Sequence, residues 1–190
     1  MTQNPELRPD SPPNTRVSIS MSMDHKAFAF DWDAFASELL PILTQALETS
    51  DTAALKAFIE EHRESLVDPI AEDLLAEDWQ DTLVSGDVQE LADLALTKYY
   101  EPTEDCGLGE WWDEINKSLA PAAGAALLGS PLKGGSQVFD PGRMGAYFQS
   151  PAQTAASAKT MEMISLPDVE EYRDFLKGCA ADGMGVYVTF

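Results

Sequence analysis

With two cysteines and two histidines among 190 residues, the sequence is short of the side chains that staple small folds, hold zinc or carry acid–base catalysis near neutral pH. Cys106 and Cys179 share no metal-ligand spacing and define no disulfide framework, so a reducing compartment suits them. Basic residues are scarce as well: 12 Lys and Arg stand against 33 Asp and Glu, for a net charge of −21. Nucleic-acid binders and proteins recruited to anionic lipid draw much of their affinity from cations, so neither nucleic acid nor a membrane is expected as a partner. Nowhere do about 18 apolar residues stand together, and no charged start followed by an apolar run of about seven residues opens the chain. The expected location is cytoplasmic, and the guest favoured by such a field is a basic protein or a cation.

What is present suffices for one domain, since 44% of the residues are hydrophobic. Residues 1–23, rich in Pro and Asn and poor in large apolar side chains, read as a flexible tail ahead of a single domain over 24–190. Helical periodicity begins at Asp31, with Phe35, Leu39, Ile42, Leu43 and Leu47 on one face and a bend expected at Pro41. A second helix is expected over 52–66. A third is expected to open at Asp68-Pro69 and to bury Ile70, Leu74, Leu75, Trp79 and Leu83 before Gly86. Asp87 followed by Glu90 has the form of a capping box for a fourth helix, and Trp111 to Leu119 suggests a short fifth. Ala120 to Leu128 adds a turn or two. Val138-Phe139 and Tyr147-Phe148 flank a turn-rich insert and suggest a hairpin, while Ser150-Pro151 and Asp168 each open a further helix. The chain closes on Val186 to Phe190, a β-branched and aromatic run that reads as a strand. The expected class is α+β: a mainly helical domain with a small C-terminal sheet or hairpin.

Charge divides this domain into an acidic helical half, about 31–100, and a near-neutral C-terminal half, about 110–190. Glu48 to Glu114 holds 20 acidic residues and three basic ones, whereas 115–190 holds seven against six. On the expected third helix Asp73, Glu77 and Asp81 stand four apart, as Glu60 and Glu64 do on the second, and each such like-charged pair costs ~0.2–0.5 kcal/mol. A face that carries this cost either serves solubility or docks a basic partner. In the second case Trp79, Trp111 or Trp112 supply apolar anchors where they are exposed.

Catalytic constellations are missing. His62 lies among Glu60, Glu61 and Glu64 but lacks the second histidine of a zinc protease helix, and no Gly-x-Ser-x-Gly elbow accompanies a serine. Cys106 sits between Glu104, Asp105 and Gly107, where carboxylates raise a thiol pKa and weaken it as a nucleophile. No calcium loop, dinucleotide fingerprint or Walker loop is spelled out, so no metal, cofactor or catalytic residue is assigned. Arg143, in a glycine-bracketed turn, is expected to tie that turn to a carboxylate such as Asp140.

The succession Trp112 to Leu119, Leu127-Leu128-Gly129, Arg143-Met144-Gly145-Ala146-Tyr147-Phe148, Ser150-Pro151 and Tyr172 to Val188 resembles the YfbM-like family of uncharacterised bacterial proteins. The resemblance covers about residues 110–190 and implies an α+β domain of bacterial origin, with no activity to carry over; the acidic stretch Glu48 to Asp105 departs from it. In size, acidity and build the chain also looks like bacterial immunity proteins. The expected function is therefore a non-catalytic acidic binding protein, an immunity or inhibitor protein masking a basic toxin domain. The alternative is a small-ligand or metal-dependent enzyme using carboxylates near His62, or the Asp140 to Gly145 turn with the Asp105 loop.

Overall fold

A computed structural model describes residues 24–190, so the expected tail 1–23 lies outside the described residues. The elements run β1 (Lys26–Phe30), α1 (Trp32–Glu38), α2 (Leu40–Thr49), α3 (Ala53–His62), α4 (Trp79–Thr82), α5 (Val88–Leu96), α6 (Trp112–Ser118), α7 (Pro121–Leu128), β2 (Ser130–Pro131), β3 (Lys133–Gly134), β4 (Gln137–Val138), β5 (Ala146–Gln149), α8 (Pro151–Met161), α9 (Glu170–Ala181) and β6 (Gly185–Thr189). The class is α+β and mainly helical. No helix among the described residues is long and apolar enough to cross a membrane.

Four strands form an antiparallel sheet in the order β1-β6-β5-β2, with Phe28 opposite Tyr187 and Tyr187 opposite Phe148. Because side chains alternate along a strand, that aromatic row lies on one face and Ala27, Val186 and Val188 on the other. The aromatic face packs with Phe35, Leu43, Leu55, Ile59 and Leu91 of the acidic half. The aliphatic face packs with Ile115, Leu127, Met161, Tyr172 and Leu176 of the near-neutral half. The two halves of the sequence thus become helical layers on opposite sides of one sheet, and each fully buried Leu, Phe or Met contributes ~1.5–3 kcal/mol.

Several helix starts follow local chemistry. Asp31 Oδ1 accepts the Ala34 N–H at 3.1 Å, and Ser150 with Gln153 forms a complete capping box over Pro151. Pro41, which has no N–H to donate, does more than bend the first helix: the chain breaks at Leu39 into α1 and α2. Asp87 caps α5 as expected, through the N–H groups of Gln89 and Glu90. Glu90 does not reach back to Asp87, however. Its carboxylate takes the N–H groups of Val84, Ser85 and Gly86 at 2.7–2.8 Å, and although burial opposes it these donors hold its pKa below the usual value.

The expected third helix does not form. Asp68 Oδ1 caps one turn through Ile70 and Ala71, Glu72 adopts φ +60, and the chain doubles back so that Val67 bridges Leu74 and the Leu75 N–H reaches the Leu66 carbonyl. Only α4 is helical. A continuous helix would align Asp73, Glu77 and Asp81 without neutralising them, while the loop buries Leu66, Leu75 and Trp79 at the cost of leaving Ile70 92% and Leu74 69% exposed.

The expected hairpin is also rearranged: Val138 lies in β4, which pairs with β3, whereas Tyr147 and Phe148 lie in β5, between β2 and β6. The last helix starts at Glu170 after a 3-10 turn over Pro167–Val169, with no side-chain cap from Asp168. Three strands have no counterpart in the sequence expectations: the two-residue β2 and β3, in a stretch that reads as an irregular connection, and β1, whose alternating Phe28 and Phe30 pair with the closing strand β6.

Asp93, on α5, is half-buried with Tyr100 and Tyr187 as neighbours, and burial followed by repulsion from Asp68 pushes its carboxyl up to about 7. The folded value lies above the unfolded ~3.9, so the folded state holds this proton more tightly and loses that advantage as pH rises toward neutrality. Asp93→Asn is expected to raise stability at pH 8 by ~1–2 kcal/mol, partial hydration reducing the larger figure that the full shift implies, and to change little at pH 4. Urea denaturation at both pH values checks this; equal effects at the two would contradict it.

Candidate functional site

Loop 105–109 organises the near-neutral layer by closing the free edge of β1. Asp105 Oδ1 accepts the N–H groups of Ala27 and Gly107 at 2.9 and 2.8 Å, the Cys106 N–H donates to the Ala27 carbonyl at 2.8 Å, and His25 and Gly109 exchange a pair of backbone hydrogen bonds at 3.1 Å. An edge strand that would otherwise expose a row of backbone groups is thereby covered. Cys106 remains exposed as a residue, but partial burial of its thiol, and then Asp105 and Glu104, raise the thiol pKa.

The same loop seats His25, fully buried and placed by the sequence at the margin of the tail. Its Nε2 lies 3.0 Å from the Leu127 carbonyl, and its Nδ1 accepts the Leu108 N–H at 3.2 Å, so the hydrogen bonds define a neutral ring with the proton on Nε2. Trp112, Tyr172 and Phe190 surround the ring, and the Tyr172 hydroxyl shares the Leu127 carbonyl at 3.0 Å. Burial lowers the His25 pKa below its ordinary value, against the raising effect of the carbonyl contacts. His25 is therefore a structural post.

In front of this post lies a groove of about 630 Å³ lined by Leu108, Trp111, Glu114, Ile115, Ser118, Leu166 and Asp168. It continues through Leu108 and Asp168 into a second hollow of about 460 Å³ bordered by Glu170, Glu171 and Tyr172. Trp111 is 61% exposed, while Trp112, the next residue, is buried against His25 and Phe190. Its lining sets buried Ile115 and half-buried Leu108 and Leu166 beside the exposed carboxylates of Glu114 and Asp168.

The other residues singled out from the sequence lie elsewhere. Glu60, Glu64, Asp73, Glu77 and Asp81 are all exposed, on α3, its 3-10 extension, the loop 67–78 and α4, and they form no single helical stripe. Trp79 is buried and donates from Nε1 to Glu60 Oε2 at 3.2 Å, which ties α4 to α3 and removes this tryptophan as a surface anchor. The large apolar residues exposed in the acidic half are Ile70, Leu74 and Val84. Sequence periodicity places Ile70 and Leu74 inward, because it assumes a helix; the doubled-back loop points them out.

His62 faces a cation. Its Nε2 lies 3.4 Å from Lys98 Nζ, which is itself paired with Glu38, and Lys98 pulls the Glu38 pKa down. Among the described residues no group of three His, Cys, Asp or Glu is placed to hold a metal ion. In the Asp140 to Gly145 turn it is Asp140 Oδ1 that closes the loop, accepting the Gly145 N–H at 2.9 Å, and among the described residues Arg143 makes no ion pair with it. No family model, no curated protein and no solved structure matches this chain.

Proposed function

We propose that the chain is a non-catalytic acidic binding protein, an immunity or inhibitor protein that masks a basic protein such as a toxin domain in the bacterial cytoplasm. The observation that supports this reading is the exposure of Ile70 and Leu74 in a stretch of chain whose exposed carboxylates include Glu64, Asp73, Glu77 and Asp81. Apolar anchors inside a rim of one charge sign are the anatomy of a docking surface: the rim steers and orients the partner, and the anchors supply most of the affinity. The bacterial setting rests on the resemblance of residues 110–190 to the YfbM-like family.

The test starts from what the tagged protein retains from its own producing cells at low ionic strength. The retained protein is then purified, and its dissociation constant and activity are measured with and without this chain. A basic partner whose activity is suppressed, whose affinity falls steeply with salt, and which loses ~10-fold in affinity to Ile70→Ser/Leu74→Ser, supports the reading. Affinity unaffected by salt and by both substitutions, or no retained basic protein, overturns it.

A further inference from the structure

We propose that the Trp111 groove takes an arginine side chain presented by an extended segment of a partner protein. The site lies in the layer opposite the acidic half, and the proposal stands independently of the docking surface around Ile70 and Leu74.

The charge at the groove is local. Residues 115–190 are nearly balanced, with seven acidic and six basic side chains, yet three of those seven, Asp168, Glu170 and Glu171, border this one depression, and Glu114 joins them from α6. Glu170 is engaged by Arg173 at 3.3 Å, and the nearest lysine on α6, Lys117, is engaged by Asp113. Glu114 and Asp168 have no Lys, Arg or His nitrogen within 4.0 Å among the described residues. Two carboxylates without a cation therefore share a groove with an exposed indole and the aliphatic side chains of Leu108, Ile115 and Leu166.

Those three features match the three parts of an arginine. Its methylene stem covers apolar surface while the charged head stays at the rim. The guanidinium is planar and weakly hydrated, stacks on an indole face, and offers donors to two carboxylates at once; the compact ammonium of lysine does this less well. The rim also selects the source. A free amino acid brings its own carboxylate into a ring of carboxylates, whereas an arginine within a chain does not. The groove's extension past Leu108 toward Glu171 provides room for neighbouring residues of the segment.

The probe is the capped peptide acetyl-Leu-Arg-Leu-amide, titrated into the full chain at low ionic strength and followed by the Trp111 indole resonance, assigned with Trp111→Phe. The expected result is a saturable shift confined to Trp111 and its surroundings, with affinity for the citrulline analogue at least ~10-fold weaker and for the lysine analogue ~3-fold weaker. Trp111→Ala and, separately, Glu114→Gln/Asp168→Asn each weaken binding ~10-fold, while Glu60→Gln/Glu64→Gln/Glu77→Gln changes it less than ~2-fold. All of these side chains are exposed, so the variants fold. No saturable shift, equal binding of the citrulline peptide, or free L-arginine binding as tightly as the capped peptide overturns the proposal.

Discussion

His25→Ala is expected to lower the free energy of unfolding by ~4 kcal/mol at pH 7.5, as measured by urea denaturation. The substitution opens a cavity inside the ring of Trp112, Tyr172 and Phe190, and it leaves the Leu108 N–H without its acceptor. His25→Phe fills the volume and still orphans that N–H, so about half of the loss should remain. Acid provides a second readout. The folded pKa is below the unfolded ~6.5, so the unfolded chain takes up the proton more readily, and the His25 contribution is present above that value and lost as pH falls through and below it. The His25→Phe variant should lack this part of the acid destabilisation. Asp93 acts in the opposite sense between about pH 4 and 7, so Asp93→Asn leaves the His25 contribution more visible. A His25→Ala protein as stable as the parent, or a His25→Phe protein with an unchanged acid profile, would contradict this account.

Gly107→Ala should cost ~3 kcal/mol although Gly107 does not have a positive φ. A Cβ at this position would lie 1.9 Å from the His25 carbonyl oxygen and 2.7 Å from the Lys26 Cα, and both are backbone atoms that no rotamer change can move. The loop has to lift from β1. With it go the Cys106 bond to Ala27 and the pairing of His25 with Gly109, and the edge of the sheet is uncovered. Leu108, which both donates to His25 and lines the groove, moves too. Amide exchange of Cys106 and Gly109 should accelerate along with the fall in stability, and affinity for the arginine peptide should drop. A stability change below ~0.5 kcal/mol would mean that the loop accommodates the methyl group and that the close approach is not a constraint.

Helix starts were legible where one or two side chains close them locally, as Asp31, Asp87 and Ser150 with Gln153 do within three residues. Where an apparent helix had no apolar partner for its inward residues the same local reading failed. Asp68-Pro69 does start a turn, but Ile70 and Leu74 find nothing to pack against, and a stripe of like charges offers the helix no support. β1 left a signal in the alternation of Phe28 and Phe30 with Ala27 and Ala29. Its pairing with β6 joins opposite ends of the described chain, beyond the reach of any periodicity argument. The burial of His25 follows from that pairing and from the loop laid along it.

Composition alone settles the field around the molecule: 20 acidic residues against three basic ones between Glu48 and Glu114. Folding decides where that charge meets apolar surface. Trp111 and Trp112 are neighbours in the chain and equivalent in composition, yet Trp111 is the cap residue before α6 and Trp112 its first residue, and at near-helical backbone angles successive side chains point ~100° apart, so one can pack inward while the other faces water. The contacts of Trp112 with His25 and Phe190 assign the inward place to Trp112, which leaves Trp111 to form the groove with Glu114 and Asp168.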